Sequence, residues 1–347
     1  MKRAVYLCIT VFLLLASNVY GQLSVGENGT LKGLAYTDYY WFAQSHNDSY
    51  EGKNGFWFRR IYLTYEHDLG NSFSSRVRLE MSNPGDLSSG SKMSTVVKDA
   101  YLKWSNEQHQ ILAGISGSPT FGLTEDVWGY RAVEKAPQDL FSFGSSRDFG
   151  IAFKGALGSE EKWNYHFFLG NGNSNGTEMN KGKKIMGALG YYITENWVVQ
   201  GYFDYNSTGD EPGARDHYTL QGFTGYESEE LNVGFLYARQ HLEALLGTGP
   251  TELDLVSVFA NAKINDKLHG FIRADHLLDP YAGGPTTSYL PMSDQGKPLF
   301  LVGGVDISLA EQVHLMPNIE SVLYRVDEQG NSPDADIVPR LTLFYSF

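Results

Sequence analysis

From Thr30 onward hydrophobic and polar residues alternate with a period of two, and the alternation continues to the end of the chain. In GFWFRRIYLTYEHD over 55–68, Trp57, Ile61, Leu63 and Tyr65 share one face, and Arg60, Tyr62, Thr64 and Glu66 share the other. In KWNYHFFLGN over 162–171, Trp163, Tyr165, Phe167 and Leu169 alternate with Asn164, His166 and Phe168. Over 299–309, Leu299, Leu301, Gly303, Val305, Ile307 and Leu309 alternate with Asp306 and Ser308. Such sustained alternation marks long strands with one apolar and one polar face. Strands in soluble proteins average about five or six residues. A tilted strand crossing a bilayer needs about 9–11.

About sixteen such strands follow one another: near 29–44, 56–68, 72–82, 95–105, 109–116, 147–158, 162–171, 182–194, 197–206, 215–227, 230–240, 251–265, 268–277, 298–310, 313–326 and 336–347. Every second connection is tiny, such as Leu69-Gly70-Asn71, Glu195-Asn196 and Asp266-Lys267. The connections between them are longer, polar and rich in Gly, Ser, Asn and Pro, as in 83–94 and 278–297. A soluble sandwich gives no reason for that regularity. The pattern predicts an all-β protein: a closed antiparallel transmembrane β-barrel of about 16 strands, formed by residues 22–347. Closure leaves no strand edge unpaired in lipid. The last strand sets Ile337, Pro339, Leu341, Leu343, Tyr345 and Phe347 on one face. An alternating strand ending on an aromatic resembles the sorting signal of bacterial outer-membrane barrels. Trp57, Trp104, Trp163 and Trp197 fall near strand ends, where interfacial girdles lie.

Composition narrows the picture further. The chain has 347 residues, 42% of them hydrophobic, yet a mean hydropathy of −0.30. A helical membrane protein is thereby excluded, because its spans need runs of about 20 apolar residues. Only the N-terminus approaches that: Met1-Lys2-Arg3 is basic, Ala4 to Ala16 is apolar, and Val19 and Gly21 are small. This reads as a secretory signal peptide over 1–21, too short to span and stop. Its removal would also remove Cys8, the single cysteine, leaving no disulfide and no thiolate metal site. The net charge of −13 argues against a nucleic-acid partner. Polar runs at 171–176 and 206–211 carry oxygen donors of the kind that bind Ca²⁺, but they are equally good turn sequences. No metal or cofactor is expected.

One connection breaks the pattern. Residues 117–146, about 30 in number, follow the fifth strand and read GSPTFGLTEDVWGYRAVEKAPQDLFSFGSS. Thr124-Glu125-Asp126 would cap a short helix there. Phe121, Val127, Trp128, Val133, Leu140 and Phe143 suit a loop folded into the barrel against its inner wall. The other reading is an external flap touching neighbouring molecules. Inward folding is expected, because sixteen strands alone enclose a wide, unrestricted channel.

The whole arrangement resembles the sixteen-stranded bacterial porins, whose third external loop enters the lumen. More narrowly it resembles the phosphate-selective porin O/P family. The residues carrying that resemblance are Phe58-Arg59-Arg60, Lys98-Asp99-Ala100-Tyr101, Ala113-Gly114 and Arg147-Asp148-Phe149-Gly150. The resemblance implies a passive, homotrimeric diffusion channel of the Gram-negative outer membrane. Its partners would be outer-membrane lipid and small hydrophilic solutes or inorganic ions. Anion-selective members use ladders of Arg and Lys plus a basic residue on the constriction loop. Arg131 and Lys135 lie in the corresponding loop of this chain.

Alternation places Arg60, Arg76, Arg78, Lys103, Lys154, Arg273 and Arg340 inward, together with Glu66, Glu80, Asp99, Asp204, Asp275, Asp306 and Glu320. The expected selectivity residues are a basic wall of Arg60, Arg76, Arg78, Lys103 and Arg340. Facing it, the loop carries Glu125 and Asp126 with Arg131 and Lys135, alongside Glu134 and Asp139. A basic wall opposite an acidic loop would set a transverse field across the narrowest point. The alternative is that these charges pair with one another across strands. No HExxH, GxSxG or Walker-type loop occurs in the sequence, and no catalytic residue is expected. The expected function is passive diffusion of small hydrophilic solutes and ions. The rivals are a substrate-specific, phosphate-like anion porin, a barrel lipid hydrolase and a non-conducting structural barrel.

Overall fold

The computed structural model describes residues 22–347 except 159, 210–212, 245–248, 282–285 and 288. The expected signal peptide over 1–21 lies outside the described residues. A short strand β1 (Leu23–Val25) pairs with the start of β2 (Gly29–Trp41). The wall continues with β3 (Asn54–Gly70), β4 (Phe73–Ser82), β5 (Ser94–Ser105) and β6 (His109–Gly117). The long loop then carries two helices, α1 (Gly122–Trp128) and α2 (Pro137–Leu140). After it come β7 (Arg147–Leu157), β8 (Trp163–Gly170), β9 (Lys184–Tyr192), β10 (Trp197–Asn206), β11 (His217–Glu227) and β12 (Leu231–Leu242). Next are β13 (Thr251–Asn265) and β14 (Leu268–Leu277), then a small ribbon of β15 (Thr286–Thr287) and β16 (Leu290–Pro291). The wall finishes with β17 (Lys297–Ala310), β18 (Val313–Arg325) and β19 (Asp336–Ser346).

Every wall strand pairs antiparallel with its neighbour, and β19 pairs with β2, so the cylinder is closed with sixteen wall strands. The short turns follow hairpin chemistry. At the β3–β4 turn Asn71 and Ser72 both have positive φ, 52° and 69°, which matches the twist of the flanking strands. Away from the rims most outward residues are apolar and open, as with Leu189, Leu220, Val258, Ile272 and Ile319. That outer face suits hydrocarbon, while the inward face is polar or packed.

Two irregularities alter the inner face. In β3 the register slips against β2 between Tyr36 and Thr37, so that Tyr36 opposes Arg60 and Thr37 opposes Phe58. Arg59 is the extra residue of a β-bulge. In β5 the register slips against β4, with Arg78 opposite Asp99 and Leu79 opposite Val97, which makes Lys98 the extra residue. The first bulge also corrects one expectation. Trp57 does not share the lipid face with Ile61 but points into the lumen, stacked on Tyr40 with ring centroids 3.7 Å apart.

The barrel closes on its last residue. The backbones of Gly33 and Phe347 exchange both hydrogen bonds, at 2.7 and 2.8 Å. The Phe347 ring lies directly over Gly33 on the outer wall, where any Cβ would collide with it. Gly33→Leu is expected to push the ring aside and cost roughly 1–3 kcal/mol, read as a lower denaturant midpoint of the refolded barrel. Gly187→Leu, at an outward site with open space around it, should leave that midpoint in place.

Candidate functional site

The long loop enters the lumen. Val127, Trp128, Val133, Leu140 and Phe143 are fully buried, and α1 packs against β11, β12 and β13. The Trp128 ring meets Phe259 and Phe271 edge-on, at centroid distances of 5.4 and 6.1 Å. Asn261 donates to the Trp128 carbonyl at 3.1 Å, and Gln240 donates to that of Phe143 at 3.2 Å. Thr124 does not cap α1 as its sequence suggested. The N-cap position is Phe121, without a side-chain cap, and the Thr124 hydroxyl instead accepts from Gln138 at 3.3 Å. Gly129 ends the helix at φ 71° and turns the loop back across the barrel.

The loop is tied to the wall through charge. Arg59, turned inward by its bulge, donates to the carbonyls of Ala132 and Val133. It also reaches Asp38 at 2.8 Å, and Glu134 and Glu320 at 3.1 Å each. Arg340 joins from β19, 3.2 Å from Asp38 and 2.8 Å from Glu320, and donates to the Tyr289 carbonyl. Burial pushes the Glu134 carboxyl up, but Arg59 and Lys135 outweigh it and hold the group below the usual carboxylate range. On the far side Arg273, paired with Asp275 at 2.7 Å, donates to the Lys135 carbonyl at 2.5 Å.

Beside this anchored loop the lumen holds a cavity of about 490 Å³. Its charged lining is Arg60, Arg78, Lys98, Arg131 and Arg147 against Glu125 and Asp306. Behind the cations stand Glu80, 3.0 Å from Lys98, and Asp99, which pairs with Arg147 and lies 3.6 Å from Arg78. A second cavity, of about 410 Å³, lies along β7 to β10 and is lined by Asp126, Lys154 and His166, with Glu125 and Arg147 shared between the two. Burial, with Glu125 and Glu227 adding to it, pushes the Asp126 carboxyl above its usual range. The register at this part of the wall is tight. Gly114, at φ 128°, lies so close to the backbone of Ala100 and Tyr101 that no larger residue fits.

The structure therefore brings together Arg60, Arg78, Glu125 and Arg131, and sets the other expected residues apart. Arg76 and Lys103 line a hollow near the short-turn end with Glu66, 2.9 Å from Lys32. Arg340 is buried in the ionic knot and does not line the open wall. Lys135 is half-buried within the loop, its backbone N–H donating to the Glu134 carboxylate, and does not line the cavity. Asp126 faces the second cavity. The loop also fails to present the acidic face expected of it. Arg131 pairs with Glu125 at 3.0 Å and with Asp139 at 3.5 Å, and Glu134 is held by Arg59. Alternation missed Arg59, Lys98 and Arg147. The available signal was a pair of adjacent charges inside a strand, Arg59-Arg60 and Lys98-Asp99, which strict alternation cannot place on one face.

This is the architecture of a bacterial outer-membrane barrel with an infolded loop. No protein-family model matches the chain, and neither does any curated protein sequence. Among solved structures it is similar to the anion-selective porin from Comamonas acidovorans, with a TM-score of 0.65 and 13% identity, over 92% of this chain and 99% of that one. It is similar to Salmonella typhi OmpF, solved with daunomycin, with a TM-score of 0.65 and 12% identity over 94% and 100% of the two chains. It is likewise similar to the outer-membrane channel DcaP of Acinetobacter baumannii, with a TM-score of 0.63 and 15% identity over 94% and 99%. At these identities the likeness is one of fold.

Removing the bulge cation tests the loop anchor. Arg59→Met leaves three carboxylates short of a partner and is expected to destabilise the knot by about 3–5 kcal/mol. Single-channel recordings should then show larger and noisier openings as the loop leaves the wall. An unchanged, quiet conductance would mean that apolar packing alone holds the loop.

Proposed function

We propose that the protein is a porin of the bacterial outer membrane: a passive, non-enzymatic channel for small hydrophilic solutes and ions, with a preference for anions. The observation that carries the preference is the lining of the larger cavity, where five cationic side chains face two carboxylates. In a narrow, low-dielectric passage such an excess draws anions and repels cations. Arg60, Arg78, Lys98, Arg131 and Arg147 are the selectivity residues of this reading, with Glu125 tempering them. Arg76 and Lys103 act further along, at the short-turn mouth. The preference agrees with that of the anion-selective porin from Comamonas acidovorans, which shares this fold. A homotrimer surrounded by outer-membrane lipid is part of the same proposal, following the porin resemblance.

A phosphate-specific channel is the narrower form of this reading. It draws on Arg60, Arg78, Lys98 and Arg147 converging on one cavity. A lipid hydrolase is not favoured. Ser45, His46 and Asp336 do meet, but the Ser45 hydroxyl donates to the Asp336 carboxylate at 2.8 Å, and His46 turns Nδ1 to that same carboxylate. A serine nucleophile would need the imidazole beside its own hydroxyl.

Planar-bilayer recording decides between these. In a KCl gradient the reversal potential should indicate anion preference, and Arg78→Glu combined with Lys98→Glu should move it toward cations. Absence of any channel would overturn the porin reading, and no movement would remove these two residues from the conducting path. Block by millimolar phosphate with chloride flux otherwise intact would favour the narrower form.

A further inference from the structure

Among the described residues, the outer wall carries a pair of facing cations with no counter-charge. Lys297, which opens β17, lies directly opposite Arg325 at the end of β18. The next pair down, Pro298 and Tyr324, is buried on the lumen side, so alternation turns Lys297 and Arg325 outward. Immediately below them on the same face lie Leu299 and Leu323, then Leu301 beside Ser321 and Gly303 beside Ile319. The two cations thus crown the apolar band at its long-loop end, the level of the outer-leaflet headgroups.

Like charges placed directly opposite on a sheet destabilise it. Among the described residues, neither side chain has a carboxylate within ion-pair distance. Asp327, on the loop after β18, is occupied by the amides of Asn331, Gln329 and Gly296. Elsewhere on the same rim the chain does provide a partner: outward-facing Arg239 forms a two-pronged pair with Asp254, at 2.7 Å for each bond. We propose that Lys297 and Arg325 bind a phosphate of a phosphorylated glycolipid in the outer leaflet, whose acyl chains lie along the leucines beneath. A single phosphate placed between the two side chains removes their repulsion. The aliphatic residues below select a lipid over a free anion. The proposal depends on the membrane placement of the barrel but not on its conductance, so each can fail without the other.

The test uses the refolded full-length barrel in detergent micelles, titrated with a bisphosphorylated glycolipid, its enzymatically dephosphorylated form and inorganic phosphate. The phosphorylated lipid should bind and survive native mass spectrometry. Lys297→Gln with Arg325→Gln should weaken it roughly tenfold or more, with the heat-modifiable gel mobility of the folded barrel and the channel conductance unchanged. Arg239→Gln should leave binding as it was. Equal binding of the dephosphorylated lipid, or no loss in the double variant, overturns the proposal. Displacement by inorganic phosphate at matching concentrations would assign the pair to a free anion and also overturn it.

Discussion

A cylinder of sixteen strands is too wide for its own inward side chains to meet across it, and what fills that space decides what the molecule does. Here the filling is a loop held by an ionic knot. Arg59 and Arg340 come from the wall, Asp38 and Glu320 from the wall, and only Glu134 from the loop. Ions buried this way are costly to desolvate and strongly destabilising to separate. The knot therefore fixes position more than it adds stability. Around it Trp128 and its aromatic neighbours supply the apolar packing. What remains open is divided between a cavity whose cations come from β3, β4, β5, β7 and the loop itself, and a second cavity along β7 to β10.

Both bulges serve this arrangement. A regular strand gives every second side chain to the lumen, so two adjacent charges would send one of them into lipid. At Arg59-Arg60 the extra residue lets one arginine hold the loop while the other lines the cavity. At Lys98-Asp99 it lets Lys98 reach Glu80 while Asp99 pairs with Arg147. Anchoring and lining are thereby divided between neighbours in sequence.

Much of this was legible in the chain. Period-two alternation and the regular exchange of short and long connections specify the closed barrel, because both are local in sequence. The infolding of 117–146 was legible from its apolar residues, which have nothing to pack on in water. The inward direction of Arg60, Arg78, Asp99 and Glu320 follows from the same parity. The bulges were not legible by counting, since one inserted residue reverses the parity of everything before it, as Trp57 shows. The burial of Arg340 was hidden for another reason: its partners Asp38, Glu320 and the Tyr289 carbonyl come from three separate parts of the sequence.

A bulge also has a consequence for how such a wall can change over generations. Deleting a residue inside a regular strand shifts half of it onto the wrong face. Deleting the extra residue of a bulge restores plain alternation and leaves the pairings on either side as they were. Loss of a single codon at position 59 or 98 would thus remove a charge from the lumen and keep the cylinder intact. The barrel carries two places where its interior can be rewritten by length rather than by substitution.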